Sequence, residues 1–253
     1  MISQDIIQKL ATKHQTSEFP NIVREYFQHL FLSELYKIEG AENILFKGGT
    51  ALRIIYNSPR FSEDLDFSIF NIKTSLQNEF VEGIFIKILA EIEHSGIKVK
   101  LGPKPGPTSE GYYGDATFQI YDYPPVAVSI NVSSRNGRIV KGEVDSIAND
   151  FISTYNVLHL PQNEIVEEKV FDALPKRKKA RDFYDLYFIM RKGLLTNEQK
   201  KKLSGIKDEI LLGAGELDFK TELGALLPQD QQNIIKDFKK NLTNELNRQL
   251  FGV

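Results

Sequence analysis

The chain has no cysteine, no tryptophan, two methionines and four histidines in 253 residues. Without cysteine there are no disulfide bridges, thiolate nucleophiles or cysteine-ligated zinc sites, and the composition fits a reducing compartment, so the cytoplasm is the expected location. His14, His29, His94 and His159 are scattered and never stand in H-x-x-H or H-E-x-x-H spacing, which argues against a histidine metal site or a histidine base. No apolar run approaches the ~18 residues of a membrane span, so no membrane partner is expected. The opening Met-Ile-Ser-Gln-Asp-Ile lacks the basic start and apolar stretch of a secretory signal. A charge excess is missing as well: 32 Lys and Arg face 34 Asp and Glu, a formal net charge of -2. Any polyanion must therefore be met by a local basic patch and not by a global field. What is present is an ordinary globular composition, 41% hydrophobic and 26% charged, on a chain long enough to bury a core unaided. Carboxylates are left as the first candidates for chemistry.

Hydrophobic periodicity predicts helices over Ser3–Leu10 and Asn21–Ile38, with Ile22, Val23, Tyr26, Phe27, Leu30, Phe31 and Leu35 on one face. Ile44-Leu45-Phe46 reads as a buried strand, broken by Lys47-Gly48-Gly49-Thr50. A helix over Ala51–Tyr56 and an alternating strand over Asp64–Ile69 follow, with Asn57-Ser58-Pro59 between them. Lys73–His94 is a long amphipathic helix. Strands are expected at Ile97–Leu101, Ala116–Tyr121, Val126–Ser133 and Tyr155–Leu158, with a long loop over Gly102–Gly114. After Pro161 the pattern is helical: Asn163–Leu174, Lys178–Arg191, Asn197–Leu212 and Gln229–Phe251. The expected architecture is α/β (α+β), a mixed sheet flanked by helices with a helical C-terminal half. Residues 1–160 and 161–253 form two parts that share one cleft.

Gly48-Gly49-Thr50 lies between a strand and a helix, where backbone N–H groups and the helix dipole suit a phosphate and a side chain on glycine would block close approach. Two glycines there serve a plain tight turn as readily. Asp64 and Asp66 are two apart on a strand and so point to one face. Their mutual repulsion is relieved by a hard divalent cation, and oxygen-only ligands select Mg²⁺ with a nucleotide's phosphates. The alternative for Asp-x-Asp alone is a solvated edge strand, which leaves the glycines unexplained.

Gly49-Thr50, thirteen intervening residues and then Asp64-Leu65-Asp66 resembles the signature of nucleotidyltransferases related to DNA polymerase β. The fuller strings Phe46–Tyr56 and Arg60–Phe67, with Glu168-Lys169-Val170, Ala173-Leu174, Arg177 and Arg181-Asp182-Phe183-Tyr184-Asp185-Leu186-Tyr187, are similar to the AbiEii/AbiGii toxin family of abortive-infection and toxin–antitoxin systems. The resemblance implies a nucleotidyltransferase fold and an NTP substrate. It implies a phosphate site at Lys47, Gly48, Gly49, Thr50, Arg60 and Ser62, and Mg²⁺ on Asp64 and Asp66. It also implies Lys169 as a phosphate-facing cation, Asp182 or Asp185 as an orienting group or base, an RNA acceptor with the tRNA 3′ end foremost, and a cognate antitoxin as partner. Transfer to a protein side chain and an inactive nucleotide-binding module are the competing readings.

In one place the pattern departs from that family. Val128-Ser-Ile-Asn-Val-Ser133 places Asn131 where a third carboxylate is expected, and an amide can ligate a metal but cannot act as a base. Asp115 and Asp122, or Asp182 and Asp185, are candidate substitutes. Lys176, Arg177, Lys178, Lys179 and Arg181 place five basic residues in six, either an RNA-backbone contact or a solvated charged turn. Tyr112, Tyr113, Tyr121 and Tyr123 suit cross-strand packing or, alternatively, base stacking. Arg24 reads as a helix-surface cation with no assigned role.

Overall fold

The computed structural model describes residues 1–102, 106–108, 111–134 and 140–251. It divides into two compact units, Met1–Asn57 with Phe61–Leu160 and Ser58–Arg60 with Pro161–Val253. The N-terminal unit runs through α1 (Gln4–Lys13), α2 (Val23–Leu35), β1 (Ile44–Lys47), α3 (Gly48–Ile54), β2 (Leu65–Ile69) and α4 (Gln77–His94). It continues with β3 (Lys98–Leu101), β4 (Gly106–Thr108), β5 (Gly111–Gln119), β6 (Val126–Ser134), β7 (Glu143–Ile147) and β8 (Tyr155–His159).

The strands form one mixed sheet in the order β3-β5-β6-β2-β1-β8-β7, with β4 added against β5. β2 pairs antiparallel with β1 and parallel with β6, and β1 pairs parallel with β8. Period-two alternation gives this sheet two different faces. Phe46, Phe67, Phe118, Ile130 and Val132 are buried. Ring contacts carry that face onto α2 and α4: Phe27 stacks on Phe118 at 4.7 Å, Phe31 meets Phe67 at 6.2 Å, and Phe85 meets Tyr112 at 5.8 Å. The other face presents Lys47, Asp66, Asn131 and Tyr113 in one cross-strand row.

β7 was not expected from the sequence. It is an edge strand paired only through β8, and its Glu-Val-Asp-Ser stretch is exposed, so it lacks the apolar alternation that betrays a strand. Residues 103–105 and 109–110 of the expected Gly102–Gly114 loop lie outside the described residues. The remainder holds β4 and the start of β5, which begins earlier than its apolar pattern because Gly111 already pairs with Ser133.

The C-terminal unit contains α5 (Gln162–Val166), α6 (Leu174–Arg177), α7 (Ala180–Lys192), α8 (Asn197–Gly205), α9 (Lys207–Gly215), α10 (Phe219–Leu223), α11 (Gln232–Lys236) and α12 (Phe238–Phe251). α7 ends at Gly193, whose φ of 73° admits the left-handed turn that closes a helix; Leu194 N–H bonds back to Ile189 C=O at 3.0 Å. α8 begins with a capping box, Thr196 and Gln199 exchanging side-chain and backbone bonds. The expected helix over Asn197–Leu212 breaks at Ile206, and that over Gln229–Phe251 breaks at Asp237. Gly205, the last residue of α8, weakens the helix at the first break, whereas nothing local marks the second. Packing follows both breaks, since α9 and α12 each turn onto α7, and the Phe238 ring meets Phe219 at 4.3 Å. Among the described residues no helix is long and apolar enough to cross a membrane.

Candidate active site

β1 delivers the chain directly into α3, so the turn at Gly48 lies beside the middle of the sheet. Gly48 has φ +86°, and a β-carbon there would fall 2.2 Å from Asp66 Oδ2. Both facts demand glycine: the conformation strains any other residue, and the carboxylate needs the space. Lys47 is opposite Asp66 in the β1–β2 register, and Asp66 is opposite Asn131 in the β2–β6 register. The Asn131 Nδ2 donates to Asp66 Oδ1 at 3.1 Å. Lys47 is 8% exposed, and its Nζ donates to Ser133 Oγ at 2.9 Å.

Asp64 is placed from behind. The Thr50 hydroxyl, fully buried in the first turn of α3, donates to the Asp64 backbone carbonyl. Thr50 thus spends its side chain on fixing Asp64 and offers a phosphate only its N–H. Asp64 and Asp66 are both half-buried. Arg24, expected at a helix surface, has a side chain only 13% exposed, 3.3 Å from Glu63, and its Nε donates to the Ala127 carbonyl at 3.3 Å. Burial lowers its pKa, opposed by Glu63 and Asp64. No sequence signal marks it, because its neighbours come from the connection before β2 and from β6, both distant in the chain.

At the far end of the polar row, Asp115 Oδ1 accepts from Tyr113 Oη at 2.6 Å and from Ser129 Oγ at 2.8 Å. The bond to Asp115, more than burial, raises the Tyr113 phenol above its usual value. Tyr112 points the other way, into the core. The Ser129, Asn131, Ser133 alternation gives β6 its polar face. Ser62 contributes its carbonyl to Gln28 Nε2 at 3.0 Å.

The C-terminal unit gathers a second set of the expected residues. Arg60 grips Asp185 with both arms, Nε to Oδ1 at 2.8 Å and the outer nitrogen to Oδ2 at 3.0 Å, while Lys169 Nζ donates to Oδ2 at 3.0 Å. Arg60 is 3% and Asp185 1% exposed. Burial alone would raise the Asp185 pKa, but Arg60 and then Lys169 outweigh it, and the carboxyl is held below its usual value. Such a carboxylate is a weak proton acceptor and a strong organiser of the two cations. Asp182 differs: Oδ1 accepts from Arg177 at 2.5 Å, while its buried Oδ2 has no hydrogen-bond partner among the described residues. Of the basic run, Lys176, Arg177, Lys178 and Lys179 are exposed and Arg181 is half-buried, but Arg177 is committed to Asp182 and Lys178 lies 3.6 Å from Glu209. Lys178 adopts φ 47°, which ends α6 and separates it from α7.

The donors on the polar face of the sheet are carboxylate, amide and hydroxyl oxygens, and among the described residues no three His, Cys, Asp or Glu side chains gather in a metal-binding group. That set suits a hard cation that completes its shell with water and phosphate.

The chain aligns along 93% of its length with 91% of a solved structure, JHP933 from Helicobacter pylori, at TM-score 0.63 and 21% identity. It aligns along 91% of its length with 96% of a second, described as "putative nucleotidyltransferase from H. pylori", at TM-score 0.58 and 17% identity. These likenesses show a shared fold. No curated protein matches. The family model for the nucleotidyl transferase AbiEii toxin of type IV toxin–antitoxin systems matches residues 30–251. The chain therefore belongs to the AbiEii family and is a nucleotidyltransferase with that family's fold.

Proposed function

We propose that this toxin-family enzyme transfers a nucleoside monophosphate from an NTP to an RNA, with the tRNA 3′ end as acceptor, in a Mg²⁺-dependent reaction that a cognate antitoxin counters in the host. The observation that carries the reading is the close approach of Gly48, at the turn from β1 into α3, to Asp66, whose Oδ2 would lie 2.2 Å from a β-carbon there. Asp64 and Asp66 would hold Mg²⁺. Bound there, the cation would neutralise triphosphate charge and polarise the α-phosphoryl group.

The chain's own residues do the rest. The turn at Gly48 seats the β- and γ-phosphates with Lys47 close by, and Thr50 keeps Asp64 in place. The acceptor hydroxyl attacks the α-phosphorus in line; the new O–P bond forms as the α–β bridge breaks and pyrophosphate leaves. Lys169, held by Asp185 together with Arg60, is assigned to the phosphates. Asp182, with an unpartnered carboxylate oxygen, is assigned to orienting the nucleotide or accepting the acceptor's proton. Lys176, Lys179 and Arg181, with Arg177 and Lys178, are assigned to the RNA backbone.

The test incubates the protein and its Asp64→Ala variant with Mg²⁺, each α-labelled NTP and total tRNA, then separates RNA from protein. Label on RNA that vanishes in the variant is expected. Label on protein would replace the RNA acceptor with a protein one, and label on neither would remove the transfer reaction.

A further inference from the structure

Asn131 stands across from Asp66 where a third carboxylate is expected, and it uses an oxygen. Its Nδ2–H occupies Asp66 Oδ1, whereas Oδ2 is the oxygen that faces Gly48. A carboxylate that bridges two cations gives one oxygen to each, and the close pair of dications is tolerated where several carboxylates neutralise it. Here one of the two oxygens already accepts from an amide donor, which leaves it a poorer ligand. The same face also carries the positive charge of Lys47, in register with Asp66 on its other side and anchored on Ser133 of β6. An ammonium so placed repels a further dication.

We propose that the sheet binds a single divalent cation at Asp64 and Asp66, and that Asn131 and Lys47 together exclude a second. The proposal rests on the reading of Asp64 and Asp66 as metal ligands. Asn131 occupies one lone pair of the oxygen a second cation would need and weakens it as a ligand, and Lys47 raises the electrostatic cost of placing that cation. Proton removal from the acceptor is then left to side chains and not to a second metal.

Equilibrium dialysis of Mn²⁺ against the full chain, saturated with a non-hydrolysable NTP analogue, tests this without turnover. The expected ratio is one Mn²⁺ per bound nucleotide in the wild type and two in Asn131→Asp. Adding Lys47→Met to Asn131→Asp is expected to tighten the second Mn²⁺ by about tenfold or more. Two Mn²⁺ per nucleotide in the wild type would overturn the proposal, and that ratio decides even if Asn131→Asp fails to fold. A folded Asn131→Asp that still binds one would overturn it too, and an unchanged second affinity in the double variant would remove Lys47 from it. One Mn²⁺ bound with undiminished affinity by Asp66→Ala would instead break the underlying metal reading.

Discussion

The hydroxyl of Thr50 donates to the backbone carbonyl of Asp64, joining the first turn of α3 to the residue just before β2. The bond spans fourteen residues of sequence and sets where the first carboxylate begins. Thr50→Val keeps the shape and removes the donor. Leaving the carbonyl without its partner is expected to cost about 1 kcal/mol in urea denaturation. Transfer activity should fall by about tenfold or more through misplacement of Asp64. Full activity in Thr50→Val would show that Asp64 is placed by other means.

Gly48→Ala meets two obstacles at once, the left-handed conformation and the Asp66 carboxylate. A stability loss of about 1–3 kcal/mol is expected from the backbone alone. Nucleotide-dependent transfer should be lost in protein that remains folded by circular dichroism. An active Gly48→Ala enzyme would contradict the close seating of the turn on Asp66.

Arg60→Ala leaves Asp185 buried with Lys169 still beside it, and is expected to cost about 3 kcal/mol or more. The same pairing predicts an acid limb. Because the folded carboxyl titrates below its usual value of 3.8, the unfolded chain takes the proton first. The stabilisation is therefore present above that value and is lost as pH falls through it toward the folded value. Asp185→Asn should remove this limb, and denaturation midpoints across that range measure it.

His29 gives an independent pH dependence. It accepts or donates one hydrogen bond with the Tyr155 hydroxyl at 2.8 Å, and burial brings its pKa from 6.5 down to about 4. Between these values the unfolded chain binds a proton that the folded chain refuses, so stability falls as pH drops through the window. The full effect is about 3 kcal/mol. His29→Phe is expected to be less stable at neutral pH, with a Tyr155 hydroxyl left unpaired, yet flatter between pH 6.5 and 4; an unchanged slope would show that His29 does not report this burial.

The positions of the strand, turn, helix, strand unit around Gly48 and Asp66 were readable from the chain alone. Glycine, β-branched and apolar runs and alternating carboxylates are local statements about backbone freedom and sheet faces. The family followed from the same residues and matches residues 30–251. Less was readable at β7, whose exposed acidic residues hide its pairing, at Ile206, where Gly205 is the one local sign of a break, and at Asp237, where helical periodicity is cut by packing onto α7. The C-terminal motif was visible as a cluster of charges. That Asp185 is clasped by Arg60, which stands 125 residues earlier in the chain, was not.

By itself the sequence determined the local elements, the carboxylate pair, the glycine turn and the departure at Asn131, because each depends on residue type and short-range spacing. Only the tertiary structure decided what those groups touch: Asn131 on Asp66, Lys47 on Ser133, Thr50 on the Asp64 carbonyl and Arg24 beside Glu63. The reason is that a hydrogen bond or ion pair across strands is set by register and by the order β6-β2-β1, and these arise from burying one face of the whole sheet against α2 and α4.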